Sequence, residues 1–272
     1  MAITSAVETI TPAVATELLE RNEVNRTLQR KRVEMYASDI SAGRWTLNGE
    51  SIVVALTGDL IDGQHRCHAV VKAGKSIKSV VVRGVKAETQ QQIDQGASRS
   101  VSDVLRMRGV PNSAATASIV RWLVLAPDPG DDMAGAMRSR RVSANEAMEY
   151  VNTHPRVLVA ATETTRLRAH LPTTPTVIGY CWTILDALDD GANHDFWDSL
   201  ERMSFSFEHD PRKAVLRSLR TLVNDETTYD RRSVIRHVSV ITRGWNLWRT
   251  GQEAPTIAVR RRGQPIPPET PK

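Results

Sequence analysis

The residues best suited to chemistry form one short run, Asp62-Gly63-Gln64-His65-Arg66. An apolar, strand-like segment precedes this run, and a helical pattern closed by Gly74 follows it. A strand that turns directly into a helix would place main-chain N–H groups, the positive end of the helix dipole and a guanidinium around one point. Because such a point suits a phosphate group, the run predicts an anion site.

Each residue of the run has its own role in this prediction. Gly63 lets the backbone approach a ligand closely, Arg66 can contact two phosphate oxygens, and His65 can donate to a phosphate or shuttle a proton. Asp62 would repel an anion, so we expect it to hold His65, Arg66 or a magnesium ion. The alternative on the pattern alone is a plain loop, in which Asp62 caps the helix and Arg66 makes a surface pair.

The surrounding pattern predicts a small mixed sheet with helices. Residues 1–10 show no clear period and are expected to be loose, so the fold would begin at the helix cap Thr11-Pro12. The elements predicted after that cap are a helix ending at Gly43, a hairpin of 51–56 with 60–61, the helix after the run, a strand over 77–82, a helix near 87–94 and a helix capped by Ser98-Arg99-Ser100.

Strand patterns nearly vanish beyond Gly109-Val110-Pro111, and helical stripes replace them. The sequence therefore predicts an α+β chain in three parts. These are a mixed domain over 11–108, an all-helical domain over 111–250, and a proline-rich, basic tail over 251–272 that we expect to be partly disordered.

The net charge of +5 is unevenly distributed. Residues 210–272 hold 13 Lys and Arg against 6 Asp and Glu, a net charge of +7, which leaves −2 for residues 1–209. This asymmetry favours binding of a polyanion such as DNA, with Arg260-Arg261-Arg262 as the best phosphate contact. The alternative is that these residues are solvated, since solvent-exposed helix faces can be equally basic. Trp245 and Trp248 could stack on bases, but their helical spacing favours core packing.

Other features exclude several classes of protein. No apolar run approaches the roughly 20 residues that a membrane span needs, and Met1 to Thr4 lack the basic start of a secretory signal. We therefore expect a cytoplasmic protein without a membrane partner. Cys67 and Cys181 are too few and too far apart for a disulfide framework or a zinc site. A relaxed Walker A spacing over 69–76 ends a helix instead of opening one, so Gly74 is interpreted as a helix C-cap.

The segment from Leu60 to Ala69 resembles the signature of the ParB/sulfiredoxin superfamily, in which turns of the Gly-x-x-Arg type bind nucleotide phosphates. Its Asp-Gly-Gln-His-Arg form is similar to that of phage and bacterial ParB-like proteins described as nucleases. Asn25-Arg26 and the segment from Asp94 to Ser100 extend the resemblance over about residues 20–108. Asp210-Pro211 and Trp245-Asn246 resemble the helical remainder of such phage proteins.

The resemblance implies a pocket for a nucleoside triphosphate, ATP or CTP, with Mg²⁺. Asp62, His65 and Arg66 would be catalytic if the protein hydrolyses the triphosphate or transfers a phosphoryl group, and Asp62 with Asp94 would hold the metal. The nucleotide-binding residues that it implies are Asn25, Arg26, Gly63, Gln64, His65, Arg66, Arg99 and Ser100.

Two departures limit this inference. Sulfiredoxins need a catalytic cysteine where this chain has Gln64, so sulfinic acid repair is not expected. ParB partition proteins have Glu-Arg in place of Gln64-His65, and their central helix-turn-helix is not evident here. The alternatives are a metal-dependent nuclease that uses Asp62 and Asp94, and a non-catalytic DNA-binding regulator of a phage or mobile element. Either form could be a homo-oligomer.

Overall fold

The computed structural model describes residues 2–22, 28–86, 100–130, 132–225, 231–258, 260–261 and 264–272. The chain divides into a first unit, Met1–Arg99 with Ser139–Glu146, and a helical unit, Ser100–Arg138 with Ala147–Lys272. Among the described helices, none combines the length and the hydrophobicity that a membrane span requires.

The first unit contains a four-stranded mixed sheet. Its strands are β1 (Thr4–Ile10), β2 (Ser51–Ala55), β3 (Leu60–Asp62) and β4 (Ile77–Val85), in the spatial order β1-β4-β2-β3. Strand β4 pairs antiparallel with β1 and parallel with β2, and β2 pairs antiparallel with β3. The predicted small mixed sheet and the predicted β2–β3 hairpin are therefore confirmed.

Strand β1 contradicts the expectation that residues 1–10 are loose. It pairs with β4 along its whole length, and Ile10 is fully buried at its end. The strand lies at the edge of the sheet, and Val7 is 56% exposed. Glu8 makes a two-pronged ion pair with Arg83 of β4, with N–O distances of 3.0 and 2.8 Å. Pairing, more than burial, holds this strand, so the sequence lacks the clear alternation by which strands are predicted.

Three helices accompany the sheet in the part of the first unit that is described: α1 (Pro12–Glu20), α2 (Arg30–Ser41) and α3 (Gln64–Ala73). Thr11 caps α1 by accepting a hydrogen bond from the Val14 N–H at 3.2 Å. Gly74 ends α3 with a φ of +63°, which confirms its interpretation as a C-cap. One apolar cluster joins these helices to the sheet: Ile10, Ala15, Leu18, Val33, Ala37, Ile40, Ile52, Val54, Leu60, Cys67, Ala69, Val70, Ile77 and Val81.

Residues 139–146 belong to the first unit through a polar network at the end of α2. Asp39 is buried and accepts hydrogen bonds from Arg44 Nε at 2.8 Å and from Ser143 Oγ at 2.9 Å. Arg140 forms a two-pronged ion pair with Glu146 at 2.6 and 2.7 Å. Each buried carboxylate thus has charged or hydroxyl donors, which offsets the cost of removing it from water.

The described elements after residue 100 are almost entirely helical. They are α4 (Val101–Met107), α5 (Ser113–Leu125), α6 (Met133–Ser139), α7 (Ala144–Thr153), α8 (Arg156–Leu167), α9 (Pro175–Asp186), α10 (Asp190–Arg202), α11 (Pro211–Asp225), α12 (Arg231–Arg249) and the two-residue strands β5 (Arg260–Arg261) and β6 (Gln264–Pro265). No described residue between 111 and 250 lies in a strand, so the prediction of helical structure there is confirmed. Five aromatic residues are fully buried in this unit: Tyr180, Trp182, Phe196, Trp197 and Trp245.

The C-terminal segment packs on helices α11 and α12 where the structure describes it, although we expect partial disorder from its composition. Ile257 is buried, and its N–H donates to Ser218 Oγ of α11 at 3.2 Å. Trp245 of α12 donates from Nε1 to the Lys272 carbonyl at 2.9 Å, and the Asn246 side chain accepts from the Lys272 N–H at 2.9 Å. Outside the short strands β5 and β6, hydrogen bonds with side chains of the helices therefore satisfy polar groups of this segment.

Candidate functional site

Strand β3 ends at Asp62 and α3 begins at Gln64, so Gly63 alone makes the turn between them. Gly63 has a φ of +105°, in the left-handed region that glycine adopts readily. A Cβ at this position would lie 2.9 Å from Cγ1 and 3.2 Å from Cα of Ile52 on β2. Conformation and close approach each require glycine here, and the predicted strand-to-helix junction is confirmed.

The first turn of α3 has no side-chain cap. Its N-cap is Gly63, and no acidic residue lies in the first turn. The N–H groups of Arg66 and Cys67 both donate to the Gly63 carbonyl, at 2.9 and 3.0 Å, and so close the first turn. The positive end of the dipole of this ten-residue helix is therefore not neutralised from within the helix, which favours an anion.

Arg66 is the charged group at this junction, and it is buried, with 8% of its surface exposed. Its Nη2 donates to Asp62 Oδ2 at 3.2 Å. Its Nη1 is also buried and has no hydrogen-bond partner among the described residues. An unsatisfied buried donor costs about 1–3 kcal/mol, and more on a charged group. The guanidinium thus has donor capacity left for an acceptor that the described chain does not supply.

One of the roles predicted for Asp62 is present in the structure. Its carboxylate pairs with Arg66, which was one of the three expected roles. The plain-loop alternative requires Arg66 to make a surface pair, and the burial of Arg66 contradicts that alternative. Asp62 itself is more accessible, since 28% of its side chain is exposed.

His65 and Gln64 connect α3 to the neighbouring chain. His65 Nε2 accepts a hydrogen bond from the Gln29 N–H at 3.0 Å, and Gln64 Oε1 accepts one from Asn22 Nδ2 at 3.4 Å. Both side chains are buried. Because Nε2 of His65 is an acceptor, it carries no proton in this arrangement and cannot donate to a phosphate. The contact instead fixes the N-cap of α2 against α3.

The remaining predicted site residues belong to the helical unit or lie outside the described residues. Ser100 lies in the helical unit, where it caps α4 in a reciprocal capping box with Asp103. For Arg260 and Arg261 only the main chain is described, as β5. The predicted residues that lie outside the described residues are Asn25, Arg26, Asp94, Arg99 and Arg262.

Neither cysteine has the environment of a reactive thiol. Cys67 is fully buried in α3, and burial raises its pKa to about 12. Burial also raises the pKa of Cys181. The described residues contain no group of three His, Cys, Asp or Glu that could hold a metal ion. The predicted Asp62 and Asp94 pair stays a prediction, because Asp94 is outside the described residues.

Trp245 and Trp248, the two tryptophans that could stack on bases, make contacts within the helical unit. Trp245 is fully buried, as the helical spacing predicts, and Arg249 lies 5.5 Å from its ring centre. Arg212 lies 4.8 Å from the ring centre of Trp248 while it pairs with the buried Asp210 at 2.7 Å. The contact between Arg212 and Trp248 joins α11 to α12, whereas Arg249 and Trp245 interact within α12.

Two contacts at the junction have no signal in the sequence. The Gln29 main chain and His65 are 36 residues apart, and a main-chain donor leaves no mark on residue type. The approach of Ile52 to Gly63 follows from the pairing of β2 with β3, which local patterns do not specify. Only the Asp-Gly step itself indicates that the chain turns sharply there.

The chain has no significant match among protein-family models, curated proteins or solved structures. Its function must therefore be inferred from its own residues and from the geometry at the start of α3.

Proposed function

We propose that this protein binds a nucleoside triphosphate, with the phosphates at the N-terminus of α3. The observation that carries the proposal is the buried Nη1 of Arg66, which lacks a partner among the described residues beside an uncapped helix end. Phosphate oxygens accept hydrogen bonds from guanidinium strongly and in pairs. The resemblance of the segment from Leu60 to Ala69 to the ParB/sulfiredoxin signature supports the same ligand.

Asp62 fits this proposal if the nucleotide binds with magnesium. Its carboxylate would repel bare phosphates, whereas a magnesium ion carried by the phosphates would offset that repulsion. The exposed part of Asp62 would then contact the ion or one of its waters, while Oδ2 keeps Arg66 in place. We expect nucleotide affinity to depend on magnesium for this reason.

The geometry favours binding over turnover. His65 was the expected proton shuttle, but its Nε2 accepts a main-chain hydrogen bond and its side chain is buried. Catalysis of proton transfer needs a group within hydrogen-bond reach of the reacting proton. We therefore propose nucleotide binding that controls another activity in DNA metabolism of a phage or mobile element.

Calorimetry with ATP, CTP and GTP in the presence of Mg²⁺ tests the proposal. The native chain should bind at least one of the three, and Arg66→Ala should lose about 10–100-fold in affinity, since a charged hydrogen bond contributes about 1.5–3 kcal/mol. Arg83→Ala is a matched control, because it removes an equal charge from an exposed ion pair of the same unit. Absence of binding by the native chain would refute the proposal.

A second candidate function, DNA binding, is carried by the net charge of +7 on residues 210–272. Several arginines there make internal contacts: Arg217 with the Pro255 carbonyl, Arg243 with Glu269, and Arg249 with Asp189. Arginines that hold the chain's own groups are less available to phosphates. Arg260-Arg261-Arg262, whose side chains lie outside the described residues, stay the proposed DNA contact.

A further inference from the structure

A groove of about 260 Å³ lies between α2 and α3 of the first unit. Three aliphatic side chains, Leu28, Val33 and Val71, form its apolar surface. Its polar lining includes Arg30, Glu34 and His68. A mostly apolar surface with a few polar groups is the usual composition of a small-molecule site.

The groove and the proposed phosphate site share helix α3. His68 follows Gln64 by four residues, so the two lie on one face of α3, about 6 Å apart along its axis. The hydrogen bond from the Gln29 N–H to His65 holds the chain between Leu28 and Arg30, which both line the groove. The first turn of α3 therefore contains Arg66 and, through His65, holds the chain at one end of the groove.

The size and charge of the groove limit its ligand. Its volume lies just below the roughly 300–1,000 Å³ of sites for drug-sized ligands, which suits one ring system with its sugar. Lys72 pairs with Glu34 at 2.5 Å, so Arg30 leaves the lining with an excess positive charge. Burial lowers the pKa of His68, which keeps a flat, uncharged imidazole in the lining at neutral pH.

We propose that this groove holds the base and sugar of the nucleotide whose phosphates bind at the start of α3, an inference that rests on the proposed function. Leu28 and Val71 offer apolar surface to the faces of the base. Glu34 can accept a hydrogen bond from an amino group, which adenine, cytosine and guanine carry and uracil lacks. The proposal therefore predicts weaker binding of UTP than of the other three triphosphates.

The experiment compares inorganic triphosphate with ATP, CTP, GTP and UTP by calorimetry in Mg²⁺, using the full chain. Val71→Trp should fill the groove, because Val71 lines it and is 41% exposed. Val159→Trp is the matched control, at a position 39% exposed on α8. We expect at least one nucleotide to bind tenfold more tightly than triphosphate to the native chain. Val71→Trp should remove that advantage and leave triphosphate binding unchanged, and Val159→Trp should alter neither.

The other outcomes separate the two proposals. Equal affinity of the native chain for triphosphate and all nucleotides, or an unchanged nucleotide affinity in Val71→Trp, overturns the groove assignment alone. An equal loss of triphosphate and nucleotide binding in Val71→Trp also overturns it, because the substitution would then act on the phosphate site. Binding of neither ligand by the native chain overturns both proposals.

Discussion

Replacing Gly63 by alanine tests whether the close approach of the chain at this residue shapes the site. Two costs apply to Gly63→Ala. Its φ of +105° is unfavourable for an L-residue by about 1–2 kcal/mol. The added Cβ would also lie 2.9 Å from Ile52 Cγ1 and 3.2 Å from Ile52 Cα, and such overpacking costs about 1–3 kcal/mol. We expect a loss of about 2–5 kcal/mol in the free energy of unfolding.

Gly74 provides a matched control for this substitution. It ends the same helix with a φ of +63°, and a Cβ there would meet nothing within 4 Å. Gly74→Ala therefore carries the conformational cost without the contact, and we expect it to lose about 1–2 kcal/mol. The difference between the two variants measures the contribution of the contact with β2.

Urea unfolding measures the loss of stability in each variant, and hydrogen exchange of peptides from β2 and α3 shows where the loss occurs. Gly63→Ala should increase exchange at the start of α3 and weaken nucleotide binding, whereas Gly74→Ala should retain native affinity. If the two variants are equally stable and bind nucleotide equally, the reasoning from the Ile52 contact is wrong.

Two further predictions concern other parts of the chain. The hydrogen bond from Arg83 lowers the pKa of Glu8, so their pair should stabilise β1 fully above the ordinary value of 4.5 and lose this effect as pH falls through the lowered value. The protection of β1 amides against hydrogen exchange, relative to their intrinsic rates at each pH, should fall in acid in the native chain and depend less on pH in Glu8→Gln. Replacing Arg260-Arg261-Arg262 by alanine should weaken DNA binding for all sequences and flatten its salt dependence while nucleotide affinity stays native; equal gel shifts for the native and triple-alanine chains across a salt series would exclude a role for these arginines.

Local sequence patterns were sufficient to predict the structure where neighbouring residues determine it. The Asp-Gly step, the apolar pair Leu60-Ile61 before it and the glycine that ends α3 specify a strand, a turn and a helix within about fifteen residues. The cap of α4 was equally predictable, because Ser100 and Asp103 are three residues apart and each side chain accepts a hydrogen bond from the other's main-chain N–H. In these segments each residue type has a conformational preference that agrees with the fold.

The patterns did not predict structure that depends on partners distant in sequence. Strand β1 depends on β4, more than sixty residues away, and its mostly exposed face offers no hydrophobic period. Residues 139–146 join α2 through Ser143 and Asp39, which are 104 residues apart. The burial of Arg66 is a property of the packed unit, since nothing in the run distinguishes a buried arginine from a solvated one.

The burial of Arg66 changes how the run should be understood. A buried guanidinium with one acidic partner, as the described residues give Arg66, is costly, and an apolar side chain of similar volume often gives equal or greater stability at such a position. Gly63 accounts for the turn, and His65 accounts for the attachment of α2 to α3. Neither role requires a charged residue at position 66. The positive charge at Arg66 is therefore difficult to explain by folding, whereas an anion at the N-terminus of α3 would give its Nη1 an acceptor.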